Sequence, residues 1–147
     1  MAAPQLSNPT DSLPTSVPQP IVFFDGECVM CNGFVDILLT IDPEGAILIA
    51  PLQGQTAKQF LPPLPTDREA WSIYYQDERD LYDRSDAFLQ VCKRLGGVWS
   101  VFTVIALIPR PIRDRIYRLI ARNRYRLFGR RSSCRMPSET EQERFLP

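Results

Sequence analysis

Residues 21–31 read IVFFDGECVMC, and the fold turns on how that stretch divides. Ile21–Phe24 is a short, wholly apolar run, the pattern of a central strand covered on both faces. Asp25, Gly26 and Glu27 break the run, the glycine being suited to a tight turn. Beyond them Phe34, Ile37, Leu38 and Ile41 recur at the i, i+3, i+4, i+7 spacing of an amphipathic helix. That helix ends at Asp42, because the residue before Pro43 is pushed out of the α region. The stretch therefore predicts a strand–turn–helix junction, with Cys28 and Cys31 at the start of the helix.

Two cysteines three apart at that position suit dithiol chemistry. Unpaired N–H groups and the helix dipole stabilise a thiolate there. Lowering a thiol pKa from about 8.5 to about 7 raises its thiolate fraction at neutral pH from a few per cent to roughly half. Cys28, at the tip, is the expected attacking nucleophile, and Cys31, one turn inside, the resolving thiol. Asp25 and Glu27 work against this, because nearby carboxylates disfavour a thiolate. Asp25 is expected to cap the helix and to take a proton as Cys31 attacks. Two other readings stay open: a pair packed as small hydrophobes, or zinc held by Cys28, Cys31, Cys92 and Cys134. Cys92 and Cys134 form no second CxxC, and Cys92 falls on the apolar face of a later helix, a core position. Cys134, within the polar SSCRMP, is either an exposed bystander or a third thiol folded over the pair.

The chain has 147 residues, enough for one domain with a substantial core. It has no histidine, which excludes imidazole-based zinc sites and Ser–His or Cys–His dyads. Acid–base chemistry must then come from carboxylates, thiols, Lys or Tyr. The first twenty residues hold five prolines among Ser, Thr, Asn and Gln and no arginine, the composition of an extended leader rather than a targeting signal. The longest apolar run, Val98–Ile108, falls short of the roughly 20 residues that span a bilayer. A cytoplasmic location, with reduced cysteines, is expected.

Further along, AILIA (residues 46–50) reads as a second buried strand stopped by Pro51, and Thr56–Leu61 as a short helix closed by prolines. WSIYY, with Trp71, Ile73 and Tyr75 on one face, and LYD read as a hairpin about the turn DERD. Ser85 is the expected N-cap of a helix carrying Phe88, Val91, Cys92 and Leu95 on one face and stopped by Gly96-Gly97. The order β-α-β-α-β-β-α defines an α/β three-layer domain with the order of the thioredoxin fold, spanning residues 21–97. A C-terminal helical extension is expected over 98–131, packed on or beside that core. There VWSVFTVIALI reads as buried, and Ile112, Ile116, Leu119 and Ile120 form an apolar stripe. Residues 1–20 are the leader and 132–147 a polar tail.

Charge is divided along the chain. Residues 1–109 carry 6 basic and 13 acidic side chains, and residues 110–147 carry 11 basic and 4 acidic. Nine arginines and one acid lie between Arg110 and Arg131, with Arg115, Arg118, Arg122 and Arg126 along one helix face. Three readings follow: a helix docked by its Ile/Leu stripe with solvated or paired arginines; a surface for an anionic membrane or, through Tyr117 and Tyr125, nucleic acid; or arginines that approach the dithiol and offset Asp25 and Glu27.

DGECVMC after a strand resembles the DCC thiol-disulfide oxidoreductase family, whose hallmark is D-G-x-C-x-x-C near the N-terminus. RSDAF (residues 84–88) and the arginine-rich YRLIARNRYRLFG (117–129) with SCRMP (133–137) extend the similarity to the C-terminus. The resemblance implies a thioredoxin-like domain and dithiol–disulfide exchange carried by Asp25, Cys28 and Cys31. Thioredoxins proper place a cis-proline just before the third strand, whereas REAWSIYY has none and the nearest is Pro65. The expected partner is a disulfide-containing protein or a low-molecular-weight thiol, with no cofactor, metal, nucleic acid or membrane insertion. The alternative is a redox-inert interaction module that binds an anionic partner through the arginine-rich helix.

Overall fold

Apolar residues in β1 (Ile21–Phe24) alternate between two cores. Val22 and Phe24 pack with Val35 and Leu38 of α1 (Val29–Ile41) and with Ala87 and Val91 of α3 (Arg84–Leu95). Ile21 and Phe23 pack on the opposite side, with Ala57 of α2 (Gln55–Phe60) and Leu61. A strand buried on both faces needs no polar alternation, which is why IVFF reads as it does. The remaining strands are β2 (Leu48–Pro51), β3 (Tyr74–Gln76) and β4 (Leu81–Asp83), and the last helix is α4 (Arg110–Phe128). Short three-ten stretches occupy Arg68–Ala70 and Gly97–Leu107. This computed structural model describes residues 19–130, 138–139 and 141–147; most of the leader, and Cys134 with the SCRMP segment, lie outside them.

The sheet runs β2-β1-β3-β4, with β1 parallel to β2 and antiparallel to β3, and β3–β4 an antiparallel hairpin. Parallel β1 and β2 need a crossover, which α1 supplies. The mixed α/β architecture with C-terminal helices is the one read from the sequence, and it sets the DGEC turn at the carboxyl end of β1, directly ahead of α1.

Four expectations are corrected. Ser85 is not the N-cap of α3; Asp83 holds that position, and Ser85 Oγ donates to Asp114 at 2.6 Å. Arg84, at φ +52°, turns the chain straight from β4 into the helix, and its N–H donates to the Ile73 carbonyl at 3.1 Å. The Gly97–Leu107 stretch is not buried: it contributes no buried residue, and Val98, Val101, Val104 and Leu107 are all exposed. It packs on α3 through Phe102, which meets Phe88 edge-on, and the other side has no described element over it.

The Ile/Leu stripe of α4 is likewise exposed, and the docked face carries Tyr117, Ala121 and Arg124 instead. An arginine can take a core position there because carbonyls and a carboxylate surround its guanidinium. Lastly, the end of the polar tail is docked. Ile49 N–H donates to the Arg144 carbonyl and Leu146 N–H to the Ile49 carbonyl, each at 2.8 Å, along the free edge of β2. Phe145 joins the first core and Leu146 the second, while Arg144 pairs with Asp42 at 2.9 Å.

Candidate active site

Cys28 is itself the N-cap of α1: extended backbone places its Sγ to accept from the Cys31 N–H at 3.3 Å. Both cysteines are free thiols. The Cys31 thiol also donates to Cys28, and this bond, opposed by burial and helped by the Cys31 N–H and then by Arg124, lowers the Cys28 pKa to about 6. The same bond, with burial, drives the Cys31 pKa far up. The pair thus loses one proton easily and the second with difficulty.

Accessibility differs from the sequence expectation. Cys28 is 0% exposed, whereas Cys31 is half-buried and lines a pocket. The cause is the chain leaving α4, which folds back over the start of α1: Val29 N–H donates to the Gly129 carbonyl at 3.4 Å, and Arg130 pairs with Cys28 in an antiparallel bridge.

Asp25 is 2% exposed and does not cap the helix. One oxygen accepts from the Glu27 N–H at 3.0 Å and from Gln53 at 2.7 Å, bracing the turn. The other accepts from the Tyr125 hydroxyl and from Arg124 at 3.3 Å. Arg124, also 2% exposed, further donates to the carbonyls of Arg68, Trp71 and Ala121 at 2.8, 3.1 and 2.9 Å. It therefore ties α4 to both the DGEC turn and the segment ahead of β3. Glu27 is paired with Arg68 and, at 2.9 Å, with Arg130. Both acids that opposed a thiolate at Cys28 are thus offset by arginines, the third of the sequence readings. Burial, then the bond to Asp25, pushes the Tyr125 phenol up to about 12, so it stays a neutral donor.

Gln53 and Asn32 carried no sequence signal. Asn32, next to Cys31, donates to the carbonyls of Gly26 and Cys28 at 3.0 and 2.8 Å and clamps the turn from within the helix. Cys92 is buried on α3 among apolar residues, and burial raises its pKa. Among the described residues no group of His, Cys, Asp or Glu is placed to hold a metal.

Beside the pair lies an apolar cavity of about 460 Å3. Cys31, Met30 and Phe34 of α1, Ile105 of the three-ten stretch and Ile116 and Ile120 of α4 line it, and Asp25 and Arg124 reach it as well. The cavity wall beside Cys31 is mostly apolar, with Asp25, Arg113 and Arg124 as its charged members.

A mixed sheet with a reduced CxxC at its first strand–helix junction defines a thioredoxin-like dithiol domain. The chain belongs to the DCC1-like thiol-disulfide oxidoreductase family, whose profile matches residues 22–130. It is 38% identical over 133 residues to the uncharacterized protein YuxK of Bacillus subtilis, covering 89% of this chain and 96% of that one. It is 30% identical over 122 residues to the DCC family protein At1g52590 of Arabidopsis thaliana, covering 80% and 70%, and that protein's name describes it as chloroplastic. No solved structure matches the chain. Among the described residues no helix is long and apolar enough to cross a membrane.

Proposed function

We propose that the protein exchanges disulfides through Cys28 and Cys31, with Cys28 as the nucleophile. The observation that carries this is the place of Cys28 at the N-cap of α1, where its sulfur accepts from the Cys31 N–H at 3.3 Å. The Cys31 side chain, against the effect of burial, lowers the Cys28 pKa to about 6. At neutral pH Cys28 is then mostly thiolate, the form that attacks. The Cys28 thiolate attacks one sulfur of a substrate disulfide, forming a mixed disulfide as the other sulfur leaves and takes up a proton. The Cys31 thiol then loses its proton and attacks Cys28 Sγ. That forms the Cys28–Cys31 disulfide and releases the second substrate thiol, so two electrons pass from the pair to the substrate. Asp25 acts by holding the turn and Arg124; with both oxygens already engaged by donors it is a positioning residue. Attack by Cys28 requires the Gly129–Arg130 segment to move aside, and Gly129, at φ +94°, is the joint at which α4 ends. The substrate is a disulfide-containing protein or low-molecular-weight disulfide with an apolar neighbour for the cavity wall.

The test is a trap. Cys31→Ser, exposed to a cell lysate, should accumulate mixed disulfides at Cys28 that Cys28→Ser does not form. Mixed disulfides in Cys28→Ser alone would reassign the attack to Cys31. Resistance of both thiols to alkylation in the folded protein would end the exchange reading.

A further inference from the structure

We propose that the face built from the Gly97–Ile108 stretch and the outer side of α4 docks on an anionic lipid surface, bringing the mouth of the dithiol cavity to the bilayer. This goes beyond the exchange chemistry and does not depend on it.

The apolar part of the face has two halves. Leu107, at 83% exposed, and Val98 and Val104 belong to the three-ten stretch; Leu119, at 65%, and Ile112 belong to α4. They are one surface rather than two, because Ile105 and Ile108 from the first half and Ile116 and Ile120 from the second line the same cavity. An exposed apolar patch of that kind marks a binding site.

Charge says what covers it. Arg110, Arg113, Arg124, Arg130 and Arg144 are committed to acids within the protein. Arg115, Arg118, Arg122 and Arg126 are exposed and make no ion pair with a described residue. On a helix of 3.6 residues per turn these four form a stripe directly beside Leu119 and Ile112. An apolar stripe flanked by arginines is the pattern of a helix lying in a membrane interface, with apolar side chains among acyl chains and guanidinium groups at phosphate level. The sequence before Arg110 carries 13 acids against 6 bases, so an anionic surface attracts this face and repels the other end of the chain.

The same observations disfavour two other occupants. Nucleic acid gives the aliphatic residues nothing to bind, and the Tyr117 and Tyr125 hydroxyls are engaged at Ile73 and Asp25 inside the protein. A second copy across a two-fold axis would bring the two arginine stripes towards each other.

The experiment uses the full reduced chain with vesicles of phosphatidylcholine alone, or with about a third phosphatidylglycerol, and reads binding by co-sedimentation. The chain should bind the anionic vesicles, bind neutral ones weakly, and release as salt shortens the screening length. Arg118→Gln with Arg122→Gln should weaken binding about 25-fold, roughly fivefold per charge. Leu107→Gln with Leu119→Gln should weaken it about tenfold. Both variants should keep the wild-type rate of Cys28 alkylation, showing an intact site. No binding, or equal binding to neutral and anionic vesicles, overturns the proposal. So does a wild-type dimer that Leu107→Gln with Leu119→Gln makes monomeric, or binding to single-stranded DNA stronger than to vesicles. Vesicle binding needs no thiol, so its failure and failure of the disulfide trap are separate results.

Discussion

Replacing Arg124 by methionine keeps most of the aliphatic stem and removes every donor of the guanidinium. Asp25, at 2% exposure, would keep the Tyr125 hydroxyl, Gln53 and the Glu27 N–H but lose its ion-pair partner. The carbonyls of Arg68, Trp71 and Ala121 would lose a charged donor together. Stranding one member of a buried pair costs about 3–5 kcal/mol. The three donors left to Asp25 place the expected loss near the lower end, about 3 kcal/mol. With a urea m value of about 2 kcal/mol/M, the midpoint falls by roughly 1.5 M. The Cys28 thiol should titrate higher, because Arg124 is one of the groups holding it down. Asp25→Asn alone should cost less, since Arg124 keeps its three carbonyl acceptors, and Asp25→Asn with Arg124→Met should recover part of the loss. A coupling of about 2 kcal/mol is expected from that cycle. Urea unfolding and thiolate absorbance measure the two effects. A loss under about 1 kcal/mol in Arg124→Met, with additive singles, would refute the view of Arg124 and Asp25 as a buried, interdependent pair.

Stability of the reduced protein should pass through a maximum with pH. Cys28 titrates at about 6 when folded and near 8.5 when unfolded, so between those values the unfolded chain holds the extra proton and stability rises with pH. Above about 8.5 the raised Cys31 acts oppositely: the folded form keeps a proton that the unfolded chain has lost, and stability falls. Urea midpoints from acid to alkaline pH should show both limbs, and Cys28→Ser should abolish the rising one; a rise that survives in Cys28→Ser would assign it to another group. Just beyond the carboxyl end of β2, beside Gln53, a Cβ at Gly54 would lie 2.8 Å from the Pro147 backbone carbon. Gly54→Ala should cost about 1–3 kcal/mol and speed amide exchange at Leu146. Unchanged exchange would show that the docked C-terminal segment does not depend on this contact.

Much of the core was legible because it follows period and burial. IVFF records a strand covered on both faces. Of the two helix repeats, Leu38 and Val91 meet the sheet, but Ile37 is exposed while Val35 is buried, and Phe88 packs on Phe102 instead. Cys28 and Cys31 were legible by their place at a junction. What escaped depends on partners distant in sequence. The apolar stretch after Gly97 and the Ile/Leu stripe of α4 have the hydropathy of core, but hydropathy measures the cost of contact with water and names no covering surface. Arg124 is the converse case: a charge in the interior, admitted by three carbonyls and a carboxylate that no residue pattern displays. Phe145 and Leu146 looked like the end of a polar tail because the hydrogen bonds that dock them come from backbone at Ile49, and backbone is the same in every sequence.

The contact between Arg124 and Asp25 spans 99 residues of chain. During synthesis at about 5–20 residues per second, Asp25 and the cysteines leave the ribosome roughly 5–20 s before their arginine does. Throughout that interval Cys28 lacks the guanidinium that favours its ionised form, and Asp25 stands close by without its counter-charge. The order of translation therefore leaves Asp25 without its counter-charge, and Cys28 without the smaller, Arg124 share of what lowers its pKa, until the last helix has emerged and folded back.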